Sequence, residues 1–200
     1  MKNKYVLTRK QNVAFVRDNL AEFLFNSMIL ARYEVTREQV NNPELLREGS
    51  EERIALDNFR EAYEYLLSDN DEVPNYPVLL MFHHILMRGL IDTINNELNE
   101  EQIMVLEDLI NKPAKANTEI AIDVMLHILD KRLFADGDVR VALMFANLIM
   151  INNGCGFITV REDYAPTFRK MLKSFHEENG EREFKNWIYR CCVRGVRIEY

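Results

Sequence analysis

Glycine, proline and cysteine are all scarce in this chain of 200 residues, which has seven Gly, five Pro, three Cys and a single Trp. So few turn-forming residues exclude a turn-rich β sandwich or barrel and favour helices with short connections. An odd number of cysteines, with Cys191 and Cys192 adjacent, excludes a disulfide framework and points to a reducing, cytoplasmic setting. Positive charge is in deficit too, because 25 Lys and Arg face 32 Asp and Glu for a net charge of −7. That balance excludes nucleic acid as a partner held on a basic face. Long hydrophobic runs are missing. The longest, Val141 to Ile151, is too short to cross a bilayer and reads as a buried helix, so no membrane partner is expected. The opening MKNKYVLTRKQN has no apolar segment behind it of the kind a signal peptide needs. No internal repeat or low-complexity run occurs.

What the chain does have is apolar residues at helical spacing, 48% of the total, with 28% charged. This is enough for one domain with a substantial core, expected over residues 1–200. Val13, Val16, Leu20, Phe23, Leu24 and Met28 fall on one stripe and predict a helix over 9–33. Thr36 with Gln39 three residues on predicts a capping box and a short helix, broken by Asn41-Asn42-Pro43. Amphipathic helices follow over 50–67, 77–95, 99–110 and 118–132, and then a central helix over 138–152 stopped by Asn153-Gly154-Cys155-Gly156. Residues 157–160 read as extended, and two helices, 161–177 and 181–194, close the chain. No strand ladder is apparent, so the fold class is all-α, a helical bundle around the central apolar helix.

The polar loop opening that central helix is the most informative stretch. A helix N-terminus offers free N–H groups and a favourable dipole to an anion. Arg132-Leu133-Phe134-Ala135-Asp136-Gly137-Asp138-Val139-Arg140-Val141-Ala142-Leu143 resembles, without a gap, the signature H-x-F-x-[DE]-G-N-G-R-x-x-R of the Fic family (filamentation induced by cAMP). Other segments resemble the family in order. Asn26 to Ala31 with Thr36 to Val40 is similar to its inhibitory helix, Leu56 to Tyr65 to its N-Y-x-E-A-x-x-Y helix, and His84 to Leu90 to the helix after it. Asn147 and Gly154 sit where the family's apolar helix carries Asn and Gly, and Arg161 to Leu172 is similar to its E-D-R-x-x-Y helix. The resemblance implies a Fic-like fold with an inhibitory helix region at about 8–40 and a core at about 50–194.

The resemblance also implies chemistry, transfer of AMP from ATP to a protein hydroxyl with the motif His as general base. That position is Arg132 here. A guanidinium has no acceptor lone pair and stays protonated, and a positioned base contributes about 10²–10⁴ in rate. Asp136 keeps the position that holds Mg²⁺ in the family. Phe134, Gly137, Asp138, Val139 and Arg140 occupy the nucleotide- and phosphate-binding positions, but Asp138 replaces an Asn and adds negative charge, or else simply N-caps the central helix. Val139 replaces a Gly and stiffens the loop. Arg140 is retained. In the family the second motif Arg contacts the γ-phosphate and is held by a Glu of the inhibitory helix; here these positions are Leu143 and Leu30. Replacing a buried ion pair by apolar residues is often neutral or stabilising, so Leu30 and Leu143 are expected to pack together. Residues 88–117 read as helix, without the hairpin flap that docks a target segment in active members.

Other candidates are weaker. His127 as a substitute base lies about 140° around the helix from Arg132. His83, His84 and the three cysteines lack zinc-ligand spacing, Asp136-Gly137-Asp138 lacks the remaining ligands of a calcium loop, and Ser27 has no His–Asp frame. The reading is therefore a degenerate Fic-fold protein lacking AMP transfer, a binding or regulatory module with a weakened or lost site for ATP and Mg²⁺. Its partner is an unidentified protein or a second copy of the chain. The alternative is a working nucleotide-dependent transferase with altered chemistry, in which Arg132 or Arg140 stabilises a phosphate transition state. An open cavity lined by Arg132, Asp136 and Arg140 would favour a site in use, and one plugged by Leu30, Val139 and Leu143 a purely structural platform.

Overall fold

Every residue from Val141 to Ile151 is buried. A helix that is apolar all round must be enclosed on all sides, and the rest of the chain does this. In a computed structural model that describes residues 1–69, 72–92, 98–178 and 180–196, the enclosed helix is α8 (Asp138–Asn152). Around it pack α7 (Asn117–Lys131), α5 (Tyr76–Met87), α4 (Glu51–Leu66) and α1 (Arg9–Asp18). A second shell adds α2 (Leu20–Leu30), α3 (Arg37–Asn41), α6 (Glu100–Ile110), α9 (Ala165–Glu178) and α10 (Glu181–Trp187). The fold is all-α, as the helical periodicity implies.

Helix starts follow local chemistry. Thr8, Thr36 and Asn99 each form a reciprocal capping box with a Gln three residues on, at the heads of α1, α3 and α6. Pro77 lies in the first turn of α5, where its missing N–H costs nothing, behind the Asn75 cap. The stripe over 9–33 is not one helix. It breaks at Asn19, whose Nδ2 donates to the Phe15 carbonyl at 2.8 Å and ends α1, so that α2 departs in a new direction. The helix expected over 77–95 ends at Met87, followed by Gly89 at φ 73°. The end of that stretch, 93–95, lies outside the described residues, as does 93–97 of the segment expected to lack a flap. The last helix is also shorter than its periodicity suggests. It becomes a π-helical turn, Ile188–Cys192, and then a strand.

That strand, β2 (Val193–Arg194), pairs antiparallel with β1 (Phe157–Ile158). The pairing was not legible because each strand is two residues long and the partners are far apart in sequence. Asn147, buried inside α8, holds β1 in place. Its Nδ2 donates to the Ile158 carbonyl at 2.8 Å and its Oδ1 accepts from the Ile158 N–H at 2.6 Å. Asn12 of α1 likewise donates to the Gly156 carbonyl at 2.8 Å, and Phe157 stacks on Phe23 of α2 with ring centroids 4.8 Å apart. At the far side, Lys185 of α10 ion-pairs with Asp123 and Glu119 of α7.

Asn147→Leu keeps the volume but orphans both Ile158 backbone groups, each worth about 1–3 kcal/mol when buried unsatisfied. Thermal unfolding should show a fall of at least 5 °C. An unchanged melting temperature would mean that β1 is held by its strand partner alone.

Candidate functional site

α7 and α8 pack along one another and are joined by residues 132–137 alone. So short a turn needs unusual backbone. Arg132 ends α7 at φ 45° and ψ 58°, and Leu133 N–H donates back to the Ile128 carbonyl at 3.4 Å. This is the left-handed helix terminus that normally takes glycine. Gly137 then adopts φ 86° immediately before α8. A Cβ at Gly137 would lie 2.4 Å from the Met87 sulfur, so the loop's close approach to α5 requires glycine as much as its φ does.

His83 of α5 supports the loop from beneath. Its ring stacks on Phe134 with centroids 4.1 Å apart, and its Nε2 lies 3.1 Å from the Asp136 carbonyl oxygen. A carbonyl only accepts, so the proton is on Nε2; Nδ1 is buried without a partner. Burial lowers the imidazole's pKa, against the pull of the Asp136 carbonyl. His83 is thus a neutral support of the loop, a role its sequence position beside His84 did not suggest.

Asp138 closes the turn. Its Oδ1 accepts from the Phe134 N–H at 3.0 Å. It does not N-cap α8; Gly137 is the cap residue and Asp138 opens the first turn. Burial pushes its carboxyl up to about 6, opposed by the Phe134 N–H and by the Arg132 charge. Part of the negative charge expected at the anion position is therefore spent inside the loop.

Arg140 is engaged elsewhere. Its Nη2 donates to the Tyr33 hydroxyl at 2.8 Å, its guanidinium carbon lies 5.1 Å from the Tyr33 ring centre, and Nη1 meets the Met87 sulfur at 3.4 Å. Burial raises the Tyr33 pKa, while Arg140 opposes the rise. Tyr33 lies just beyond α2, so the N-terminal region grips Arg140 through an aromatic hydroxyl. Leu30 and Leu143 are both buried, 5% and 2% exposed, in one continuous hydrophobic core.

The open feature beside the loop is a groove of about 850 Å³ between the end of α7, the loop, the end of α2 and α9. Of the residues expected at the site, Arg132, Asp138 and Val139 line it, while Asp136, Arg140, Phe134 and Gly137 are not among its lining residues. It is neither of the two cavities expected. Arg32, Arg169, Lys170 and Lys173, none of which the motif suggested, complete its wall. Five basic side chains there face two carboxylates, Asp138 and Glu177, on a chain that is acidic overall. Leu129, Val139 and Leu172 supply apolar surface. The donors suit an anion. The carboxylate that the motif resemblance would assign to Mg²⁺, Asp136, is not among the residues of that wall. His127 borders a different, polar cavity on the α10 side of α7.

No family model matches the sequence, and no curated protein matches it either. Solved structures do match. A Fic family protein from Desulfovibrio desulfuricans G20 superposes with a TM-score of 0.66 at 18% identity, over 86% of this chain and 61% of that one. Fic-1 from C. elegans gives 0.67 at 13% identity, over 93% of this chain and 67% of that one. The fold is the Fic fold. This chain spans 61% and 67% of the lengths of those two proteins, and the likeness concerns fold and not activity.

Two outcomes test the loop and its core. An acid whose folded pKa is raised above its ordinary value of 3.8 destabilises the fold increasingly as pH rises from about 4 to 6, and fully above that. Asp138→Asn keeps an acceptor for the Phe134 N–H. After allowance for partial exposure and solvent screening it should stabilise by about 1 kcal/mol at pH 8, with the gain gone at pH 4. An equal gain at both pH values would contradict the assigned cause. For the core pair, Leu143→Arg alone should cost about 3–5 kcal/mol, and Leu30→Glu added to it should restore about 1 kcal/mol or more. Additive losses in denaturant unfolding would mean that the two positions do not face each other.

Proposed function

We propose that this Fic-fold chain does not transfer AMP and acts as a binding or regulatory module. The observation that carries the reading is Arg132. The residue at the family's base position has no acceptor, ends α7 in a left-handed conformation and is exposed. The imidazole against the loop, His83, is neutral and committed to the Asp136 carbonyl, so it does not replace the base. Arg140, the retained phosphate ligand of the motif, is bound to Tyr33, and the γ-phosphate position and its inhibitory partner are both leucine.

A second reading has one observation in its favour. Clustered arginines stabilise charge that develops on a transferring phosphoryl group, and Arg32, Arg132 and Arg169 line one groove. An altered group transfer would use them.

Incubation with Mg²⁺ and ATP labelled at the α-phosphate separates the two. The module reading predicts no label on the chain or on proteins of a cell extract, in the wild type as in Asp136→Ala. Arg132→His should not restore transfer, because Asp138, Val139 and Leu143 remain. Label transferred by the wild type and lost in Asp136→Ala would overturn the reading in favour of a working transferase.

A further inference from the structure

Only two described non-glycine residues have positive φ, Arg32 at 70° and Arg132 at 45°. Both are arginines, both terminate a helix, and both line the same groove. At the end of α2, Arg32 N–H donates to the Ile29 carbonyl at 3.1 Å and Tyr33 N–H to the Met28 carbonyl at 3.0 Å, the hydrogen-bond pattern that favours glycine at the Arg32 position. A side chain held in this backbone region is sterically disfavoured. The cost is borne twice, each time by a guanidinium on the same groove. Arg169 of α9 joins them. Its Nη2 donates to the Ile29 carbonyl at 2.8 Å, which ties it to the Arg32 turn, while its Nε is buried without a partner. Lys170 stands next to it on the groove wall. Among the described residues Arg32, Arg132, Arg169 and Lys170 form no ion pair, whereas Lys173 lies 3.9 Å from Glu177.

We propose that this groove is a metal-independent site for a small molecule bearing two or more linked phosphate groups, held by Arg32, Arg132, Arg169 and Lys170. The inference rests on the binding-module reading and names its ligand class. Planar guanidinium forks match phosphate oxygens bidentately and are the side chains suited to neutralising phosphate without a cation. The volume of about 850 Å³ is that of a small-molecule pocket. Leu129, Val139 and Leu172 give the non-phosphate part of a ligand an apolar wall. The side chains of the wall able to ligate a metal are Asp138, Glu177 and His176, and the last offers a nitrogen where Mg²⁺ takes oxygen. The first is bound to the Phe134 N–H and the second is beside Lys173.

The test is calorimetric titration with inorganic pyrophosphate and tripolyphosphate in EDTA, repeated with excess Mg²⁺. Both anions should bind in EDTA, tripolyphosphate more tightly, and Mg²⁺ should weaken them by competing for the phosphates. Arg32→Gly and Arg132→Gly suit the left-handed backbone, so each variant should melt at the wild-type temperature or above. Each should lose at least tenfold in affinity, and Asp136→Ala should lose none. Absence of binding in EDTA, or binding untouched by both glycine variants, would overturn the proposal. Binding that requires Mg²⁺ and is lost in Asp136→Ala would overturn it in favour of a metal-dependent site. ATP in EDTA is the further arm. Affinity equal to that of tripolyphosphate means that phosphates alone are read, and tighter binding means that the apolar wall takes part. Label transfer fails the module reading by a different readout, so the two failures are distinguishable.

Discussion

The passage from α7 to α8 constrains everything around it. α8 is apolar on all faces and must be enclosed, yet the chain enters it through a short turn on the surface. That turn uses two left-handed residues, a carboxylate bonded to its own loop and a ring stacked from α5. Met87 and His83, one turn apart on α5, meet the loop at Gly137 and at Phe134 with Asp136. Contacts from α5 and from within the loop therefore hold its shape. None of these contacts uses the Arg132 guanidinium, so the loop's shape does not depend on that side chain.

Polar groups spent on structure explain why the motif residues are placed as they are. Asn147 satisfies both backbone groups of Ile158 and carries β1. Asp138 satisfies Phe134 N–H, and Arg140 satisfies Tyr33. Each of the three is partnered within the fold. Among the described residues, cationic side chains without an ion pair lie one layer out, on Arg32, Arg132 and α9, along the groove.

Much of this architecture was legible in the sequence. The capping box at Thr36 is local and readable, and so is the apolar run of α8; the boxes at Thr8 and Asn99 emerged with the structure. The break at Asn19 was hidden because the apolar stripe continues in phase through it, while the decision is made by one side-chain bond to Phe15. The β1–β2 pair was hidden because two-residue strands have no periodicity. The loop's frame, with Arg132, Asp136, Gly137 and Arg140, was readable as a pattern. Its partners were not, since Tyr33 comes from the segment after α2 and His83 and Met87 from α5, whose placement against the loop is a tertiary fact. Arg32 and Arg169 were invisible for a further reason. An arginine in a glycine-type helix terminus leaves no composition signal, and α9 looks like an ordinary amphipathic helix until Arg169 is seen to reach the Ile29 carbonyl.

The central claim is a division of labour among arginines, with Arg140 structural and Arg32, Arg132 and Arg169 facing a ligand. Nitrogen-15 NMR of the arginine Nε–H signals during titration with ATP, first in EDTA and then with Mg²⁺, reads each guanidinium separately. The account predicts that the signals of Arg32, Arg132 and Arg169 move in EDTA while that of Arg140 stays fixed by Tyr33. Movement of Arg140 alone, or movement only after Mg²⁺ is added, would contradict it.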